Sequence, residues 1–382
     1  MRWLRDIGEL AVCPRDGGPG EIGRIERAAI AWDENGDVVW VGREADAPSW
    51  LNPQNALSAH GASAIPGLID SHTHLAFAGW RADEFERILT GATYQEIAAQ
   101  GGGIQRTVRL TREASQEELT ERGLGFLREM AALGVTTVEA KTGYGLAIEQ
   151  ERKLLTVYRR IAERSPLTLV STLLAHIVPP ERRADREPYI KEFCEDLIPW
   201  AASEGLARFC DVFVEEGAFS VAEGRRILQA GLNHGLGAKV HADQLSDCGG
   251  ALLAAELGAA SADHLERVSD AGLDAMAEKN VVATVLPIAA LYLRQPALDA
   301  RRCVERGVRV AVATDFNERG GLATAARFGI RSNTRAPRFP PPSNEGADAA
   351  PEFPRAHRAR SPDGSRAGGC RGAGETSSWA AG

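Results

Sequence analysis

Short apolar runs alternate with helix-like stretches along most of the sequence, and few folds are compatible with this repeat. Eight such runs occupy residues 64–70, 135–142, 167–175, 209–215, 238–242, 260–265, 281–287 and 308–314. Most are rich in Val, Ile, Leu or Thr, as buried parallel strands are. Ala, Leu, Glu and Arg recur at helical spacing between them, at 117–133, 149–164, 186–204, 221–235, 248–258, 268–279 and 297–306. Eight alternating units predict an α/β fold, a closed (β/α)8 TIM barrel, in preference to an open doubly wound sheet.

Residues 1–60 have a different pattern and predict a small β-rich domain before a barrel of residues 61–317. Two short apolar runs, 29–32 and 38–41, flank the sequence Asp-Glu-Asn-Gly-Asp at 33–37, which predicts a β-hairpin. The segment 75–116 is a long insertion after the first barrel strand. It contains three consecutive glycines at 101–103, so part of it must be irregular. Loops at that face of a barrel often form the walls of a substrate site.

Composition narrows the class of protein. The 382 residues carry a formal net charge of −8, which argues against a nucleic-acid-binding surface. The sequence contains no apolar run of the ~18 residues that a membrane span needs and no apolar signal core after its first residues. The six cysteines are scattered without a C-x-x-C pair, which favours reduced thiols and a cytoplasmic protein: Cys13, Cys194, Cys210, Cys248, Cys303 and Cys370.

Metal-ligating residues follow several of the predicted strands. His72 and His74 are two residues apart at the end of the first barrel strand, so both side chains point to the same face. His241, His264 and Asp315 end the fifth, sixth and eighth strands. The carboxyl ends of barrel strands meet at one face, where active sites form. A nitrogen and oxygen ligand set of this kind predicts one zinc or iron ion per chain and does not distinguish between them.

Longer strings of sequence carry a resemblance to a known family. They lie at residues 70–79 (DSHTHLAFAG), 139–146 (EAKTGYGL), 175–181 (AHIVPPE), 240–245 (VHADQL) and 314–317 (TDFN). In this order they resemble the imidazolonepropionases, metal-dependent hydrolases of the amidohydrolase superfamily. The resemblance covers about residues 20–317. It implies that the N-terminal segment contributes to a small β-sandwich-like domain beside the barrel.

The resemblance also implies roles for individual residues. The metal ligands would be His72, His74, His241 and Asp315, and the catalytic residues Asp315 and His264. The substrate-binding residues would be Arg81, Tyr144, His176, Gln244 and Asn317. A planar guanidinium such as that of Arg81 is suited to a substrate carboxylate. No metal role is implied for Lys141, which we interpret as structural.

The activity implied is hydrolytic ring opening of 4-imidazolone-5-propanoate to N-formimidoyl-L-glutamate in histidine degradation, by a metal-activated water. Asp315 would act as the base, and the partners would be a small-molecule substrate and a second copy of the chain in a homodimer. Two other interpretations stay open: another amidohydrolase acting on a cyclic amide, and an inactive relic that retains the site residues.

The last segment, residues 318–382, does not match the resemblance and has an aberrant composition. It consists mostly of Gly, Ala, Arg, Pro and Ser and contains one Leu, one Ile and no Val. Such a segment cannot bury enough apolar surface to offset the entropy lost on ordering, which predicts disorder. Where it begins, the family carries a Pro-Gly pair that closes over the substrate, whereas this chain has Glu318-Arg319-Gly320. We interpret the tail as the product of a reading-frame shift, with the eighth helix and the C-terminal part of the small domain missing and activity impaired.

Overall fold

The computed structural model describes residues 1–14, 21–92, 96–97 and 100–319. Within these residues the chain forms two compact units, one of residues 1–66 and one that begins at Gly67. The predicted low-complexity tail after residue 319 lies outside the described residues. Within the described ranges, no helix has the length and apolar character needed to cross a membrane.

The first unit is a five-stranded sheet built around β1 (Arg2–Ala11). β1 pairs antiparallel with β2 (Arg24–Trp32), and β2 pairs antiparallel with β3 (Val38–Arg43), which is the predicted hairpin. Its turn is held by Asp33, whose Oδ1 accepts hydrogen bonds from the backbone N–H groups of Asn35 and Asp37. Two short strands, β4 (Ala56–Ser58) and β5 (Ser63–Ala64), pair parallel with β1.

The second unit contains eight parallel strands in sequential order, as the alternating pattern predicted. They are β6 (Leu68–Thr73), β7 (Val135–Lys141), β8 (Thr168–Ala175), β9 (Phe209–Val214), β10 (Gly237–Ala242), β11 (Ser261–His264), β12 (Val282–Val285) and β13 (Val310–Val312). Each strand pairs with its neighbour in the chain, so every strand end after a β–α crossover falls on the same face.

Helices connect the strands of this second unit. They are α1 (Ala82–Leu89), α2 (Ile104–Glu113), α3 (Gln116–Ala132), α4 (Ile148–Arg164), α5 (Glu187–Glu192), α6 (Ile198–Ser203), α7 (Val221–Asn233), α8 (Gly250–Glu256), α9 (Asp270–Glu278), α10 (Pro287–Leu293) and α11 (Ala300–Glu305). A π-helical segment, Phe193–Leu197, joins α5 to α6. In the part of the predicted insertion 75–116 that the structure describes, the chain forms two helices, α1 and α2, as well as irregular segments.

Serine side chains fix where several of these helices begin. Ser115, Ser220 and Ser269 each accept a hydrogen bond from a backbone N–H in the first turn of α3, α7 and α9. At α7 the side chain of Glu223 also accepts from the backbone N–H of Ser220, which completes a capping box. Such caps satisfy donors that the helix itself cannot pair, and they set the loops that follow each strand.

The segment after β13 closes the barrel against β6. Asp315 N–H donates to the His72 carbonyl at 3.1 Å, and His74 N–H donates to the Phe316 carbonyl at 2.8 Å. The buried carboxylate of Asp70 accepts from both the backbone N–H and the hydroxyl of Thr314. These contacts bring the first and eighth strand ends together, although the two lie more than 240 residues apart in the chain.

Candidate metal centre

Four histidines and one aspartate converge at the carboxyl ends of the barrel strands. His72 belongs to β6, His74 follows it directly, His241 belongs to β10 and His264 ends β11. All four side chains are buried, and Asp315, just after β13, is only 9% exposed. The alternation of side chains along β6 places His72 and His74 on one side of the strand.

The distances between these groups are short enough for one ion. Asp315 Oδ1 lies 3.5 Å from both His72 Nε2 and His74 Nε2. The rings of His72 and His241 have centroids 4.5 Å apart. Two sets of donor atoms each lie within 4.8 Å of one another: His72, His74 and Asp315 form one, and His72, His241 and His264 form the other. His72 belongs to both sets, so the five residues surround a common centre.

The unsatisfied atoms of these rings fit a metal ion. His72 Nε2 and His241 Nε2 are buried, and neither has a hydrogen-bond partner in the described part of the chain. Burial lowers the pKa of His72 and His74 well below the usual range, which leaves neutral imidazoles with a lone pair to give. Imidazole nitrogens and a carboxylate oxygen are ligands that zinc and iron accept.

Carboxylates behind two of the rings orient them. His72 Nδ1 donates to Asp263 Oδ2 at 2.7 Å, which fixes the tautomer and leaves Nε2 free to coordinate. Asp211 Oδ2 lies 2.9 Å from His241 Nδ1, although the angle is not that of a hydrogen bond. Asp211 Oδ1 also accepts from the backbone N–H of His241 at 3.2 Å.

Two buried lysines hold these carboxylates in turn. Lys141 Nζ donates to Asp211 Oδ2 at 2.8 Å and to Glu139 Oε1 at 2.9 Å, and it lies 3.2 Å from Asp263 Oδ2. Burial opposes the charge of Lys141, but the neighbouring carboxylates outweigh it and raise the pKa well above its usual range. Lys239 Nζ donates to Glu139 Oε2 and to the Ser71 carbonyl. We call Glu139, Lys141, Asp211, Lys239 and Asp263 the inner charge cluster.

Tyr144 and His176 lie beside the histidines. The ring centroid of His74 is 5.3 Å from Tyr144 and 5.7 Å from His176, and the His74 and His176 rings are nearly parallel. His176 Nδ1 donates to the Gly143 carbonyl at 3.1 Å, and burial lowers its pKa to about 3. The loop that carries Tyr144 is fixed by Glu151, whose carboxylate accepts from Gly143 N–H and Leu146 N–H.

The guanidinium of Arg81 is already paired with two carboxylates. Its Nε donates to Glu84 Oε2 at 2.8 Å, and its Nη1 donates to Glu318 Oε1 at 2.8 Å. The side chain of Arg81 is only 3% exposed. A hydrogen bond between the hydroxyl of Tyr292 and the Arg81 carbonyl places this region next to α10.

The two remaining residues proposed for substrate binding lie on loops. Gln244 is half-buried and follows Asp243, whose carboxylate accepts backbone N–H groups at the start of α8 and so fixes the loop. Asn317 is buried, and its side-chain oxygen accepts from the backbone N–H of Arg319 at 2.9 Å. Asn317 follows Asp315 by two residues in the chain, and within the described residues Gln244 makes no hydrogen bond or ring contact with the histidines.

The backbone is strained where the site is formed. Asp243, His264 and Asp315 all have positive φ, at 48°, 78° and 50°. Such conformations are unfavourable for residues other than glycine and cluster at functional sites. Burial lowers the pKa of His264, but the carboxylates of Glu266, Asp315 and Asp263 together outweigh it, so that the pKa is raised; Glu266 Oε1 lies 3.6 Å from His264 Nδ1.

Sequence reasoning interpreted Lys141 as structural, but it gave no role to the other members of the inner charge cluster, to Asp70 or to Glu318. Part of the cluster has a sequence signal, because Glu139 and Lys141 are two residues apart in β7, as are Lys239 and His241 in β10. Charged residues at alternate positions of an otherwise apolar strand point into the barrel and need partners there. Glu318 carries no comparable signal.

Comparison with known proteins places this site in a family. No family model matches the chain. The imidazolonepropionase of Symbiobacterium thermophilum is 50% identical over 332 residues, which cover 84% of this chain and 78% of that protein. Those of Myxococcus xanthus and Geobacillus thermodenitrificans are 46% and 48% identical, over 85% and 77% of this chain and 76% and 70% of theirs.

Solved structures share the fold at low sequence identity. A zinc-bound adenosine deaminase from Xanthomonas campestris has a TM-score of 0.59 at 18% identity, covering 84% of this chain and 69% of its own. E. coli guanine deaminase has a TM-score of 0.58 at 14% identity, covering 85% and 77%. These structures show the barrel fold, and the closer relatives show the family: the chain belongs to the imidazolonepropionase family of metal-dependent hydrolases that act on a cyclic amide.

Proposed function

We propose that this chain opens the ring of 4-imidazolone-5-propanoate by hydrolysis and releases N-formimidoyl-L-glutamate, a step of histidine degradation. The observation that carries the proposal is the convergence of His72, His74, His241, His264 and Asp315 around one centre. Support also comes from relatives named imidazolonepropionase, one of which is 50% identical to this chain over 332 residues.

The metal ligands in this proposal are His72, His74, His241 and Asp315, with one zinc or iron ion per chain. When bound, such an ion polarises the substrate carbonyl and lowers the pKa of a water molecule toward ~7. The neutral rings and the buried, unpaired Nε2 atoms of His72 and His241 support this assignment. The donor set suits both metals, so metal analysis must choose between them.

Asp315 and His264 perform the proton transfers and stabilise charge in this proposal. Asp315 accepts a proton from the water that attacks the ring carbonyl carbon. His264 donates a hydrogen bond to the oxygen on which negative charge develops. The ring C–N bond then breaks, and Asp315 returns the proton to the departing nitrogen. Water is added across the amide bond, and no other reactant is needed.

The substrate in this proposal binds through Arg81, Tyr144, His176, Gln244 and Asn317. His176 and Tyr144 lie next to His74, where the flat polar ring would be placed. Because Nδ1 of His176 is held by the Gly143 carbonyl, Nε2 remains to accept a hydrogen bond from the ring. Arg81 and Tyr144 would bind the propionate.

A second candidate is hydrolysis of a different cyclic amide that has no carboxylate. The observation that favours it is the pairing of Arg81 with both Glu84 and Glu318, which leaves no free guanidinium for a propionate.

The third interpretation, an inactive relic, predicts a chain that binds little metal.

An assay of the metal-loaded chain separates these functions. We expect N-formimidoyl-L-glutamate from imidazolonepropionate, detected by mass spectrometry, and little product from hydantoin, dihydrouracil or guanine. His241→Ala is the negative control. Turnover of a neutral cyclic amide alone would assign the second candidate, and an absence of both metal and turnover would assign the relic.

We further propose a cytoplasmic location and a homodimer. The location is supported by the cysteines in the described residues, all of which are free: Cys13, Cys194, Cys210, Cys248 and Cys303. The homodimer follows from the family resemblance alone and is tested by light scattering on the purified chain.

A further inference from the structure

The Arg81 guanidinium is hydrogen-bonded to the carboxylates of Glu84 and Glu318, which differ in their other hydrogen bonds. Glu84 uses both of its oxygens: Oε2 accepts from Arg81, and Oε1 accepts from the backbone N–H of Gly103 at 3.0 Å. It therefore anchors the chain before α2 as well as Arg81. A carboxylate with both oxygens satisfied by its surroundings is part of the framework of the fold.

Glu318 is held differently. Its Oε1 accepts from Arg81 Nη1 at 2.8 Å, and its backbone carbonyl accepts from Arg81 N–H at 2.9 Å. Its side chain is only 1% exposed, yet Oε2 has no hydrogen-bond partner in the described part of the chain. A buried carboxylate oxygen without a partner is costly, so this position is a poor one for a purely structural glutamate.

The position of Glu318 relates it to the substrate residues. Burial raises the pKa of Tyr144, and the negative charge of Glu318 raises it further. Glu318 also follows Asp315 by three residues and Asn317 by one. A carboxylate paired with Arg81 stands where Arg81 would bind the carboxylate of a substrate.

We propose that Glu318 occupies the substrate-carboxylate subsite and acts as an intramolecular competitor of acidic substrates. The proposal rests on the proposed function, in which Arg81 binds the propionate. A propionate must displace the Glu318 carboxylate from Arg81 before it binds, whereas a ligand without a carboxylate need not. Glu318 thereby lowers the affinity for acidic ligands and leaves that for neutral ligands nearly unchanged.

Binding of a matched pair of stable ligands tests the competition. The ligands are 3-(imidazol-4-yl)propionate and its amide, titrated by calorimetry into the metal-loaded chain, Glu318→Ala and the control Glu278→Gln, which alters an exposed glutamate. We expect Glu318→Ala to bind the acid roughly tenfold or more tightly than the wild type, since a charge-assisted contact is regained. The amide should bind all three proteins alike.

Chemical reactivity of Arg81 tests the same contact without any substrate. We expect phenylglyoxal to modify Arg81 several-fold faster in Glu318→Ala than in the wild type or Glu278→Gln, as measured on the peptide by mass spectrometry. Should Glu318→Ala fail to fold, Glu318→Gln retains the shape and removes the charge, and its effects should have the same sign.

Each outcome has a defined meaning. Unchanged acid affinity together with unchanged Arg81 reactivity would overturn the inference. Faster modification with unchanged acid affinity would overturn the carboxylate subsite and, with it, the choice of substrate. Tighter acid binding without turnover of imidazolonepropionate would support the inference and count against the proposed activity.

Discussion

At the scale of single residues, the site depends on imidazole rings in which one nitrogen is hydrogen-bonded and the other has no partner. His72 is the example: Nδ1 is fixed by Asp263, and Nε2 is buried without a partner in the described residues. A buried imidazole nitrogen without a hydrogen bond loses its hydration, and this loss is uncompensated unless a metal ion or a substrate binds to the nitrogen. The cost of such an arrangement is what identifies the centre as a ligand site.

Substitution of a ligand tests the proposed metal set. We expect His72→Ala and His241→Ala to lose most of the bound metal, because removal of one of four ligands opens the coordination shell. Metal content is measured by inductively coupled plasma mass spectrometry on dialysed protein. His234→Ala, at an exposed position at the end of α7, should retain it. Full metal content in both ligand variants would disprove the assignment.

Asp315 is expected to affect turnover more than substrate affinity. Asp315→Asn keeps an oxygen near His72 and His74 but removes the proton acceptor, so kcat should fall ~100-fold or more. KM should change much less. Steady-state kinetics give both values, and metal analysis of the same sample separates loss of the base from loss of the ion. An unchanged kcat at full metal occupancy would assign the base to another residue.

Arg81 affects the stability of the fold as well as the substrate. Arg81→Ala leaves the carboxylates of Glu84 and Glu318 buried without their main partner, which should lower the free energy of unfolding by ~3–5 kcal/mol. Urea denaturation measures the loss. The double variant Arg81→Ala with Glu318→Ala should recover part of it, because one uncompensated charge is removed. No recovery would indicate that Glu318 does not depend on Arg81.

At the scale of the elements, four barrel strands bring the inner charge cluster together. β7 supplies Glu139 and Lys141, β9 supplies Asp211, β10 supplies Lys239 and β11 supplies Asp263. Parallel pairing between neighbours sets the register, for example Lys239 opposite both Asp211 and Ser261. The cluster links the strands to the rings of His72 and His241 through their carboxylate partners.

Removal of the central lysine tests the cluster. Lys141→Met leaves three buried carboxylates short of one positive charge, so the free energy of unfolding should fall by ~3–5 kcal/mol. Metal affinity should also fall by ~10–100-fold, since Asp211 and Asp263 orient the ligands. Urea denaturation and competitive metal chelation measure the two effects. Lys279→Met, at an exposed site, is the control, and equal behaviour of the two variants would contradict this role.

At the scale of the whole molecule, we expect metal binding and folding to be coupled, because the four proposed ligands come from three separate strand ends. β6, β10 and the segment after β13 contribute His72, His74, His241 and Asp315, and β11 contributes His264. An ion that binds only when these elements are assembled stabilises the assembled state. The contacts between β6 and residues 314–316 that close the barrel lie in the same place.

Metal removal should therefore lower the melting temperature. At a free metal concentration of 100 times Kd, the folded state gains ~2.7 kcal/mol, or several degrees in Tm for a chain of this size. Scanning calorimetry of chelator-treated and metal-restored protein measures the difference. His241→Ala should show little response to added metal. Identical melting of the two wild-type forms would place the ion outside the folded core.

Sequence patterns alone are enough to predict the strands and helices of the barrel and the residues at the strand ends. Period-two and period-3.6 patterns report which face of a strand or helix is buried, and eight repeats of the same unit restrict the topology to very few arrangements. His72, His74, His241, His264 and Asp315 could be identified because each ends a predicted strand. The low-complexity nature of the tail after Asn317 can also be recognised from its composition. That the tail arises from a reading-frame shift stays a prediction, which DNA sequencing across the codon for Asn317 would test.

The pairing of charged groups, by contrast, becomes visible only in the folded chain. Asp263 orients His72 from 191 residues away, and Glu318 pairs with Arg81 across 237 residues. Periodicity gives the direction of a side chain, but the partner depends on strand register and on closure of the barrel, which sequence patterns leave unspecified. Charge interactions in a buried site depend steeply on distance, so a shift of a few ångströms separates a paired arginine from a free one. The sequence therefore predicted that Arg81 binds a carboxylate, and in the structure the carboxylate of Glu318, from the chain itself, is hydrogen-bonded to Arg81.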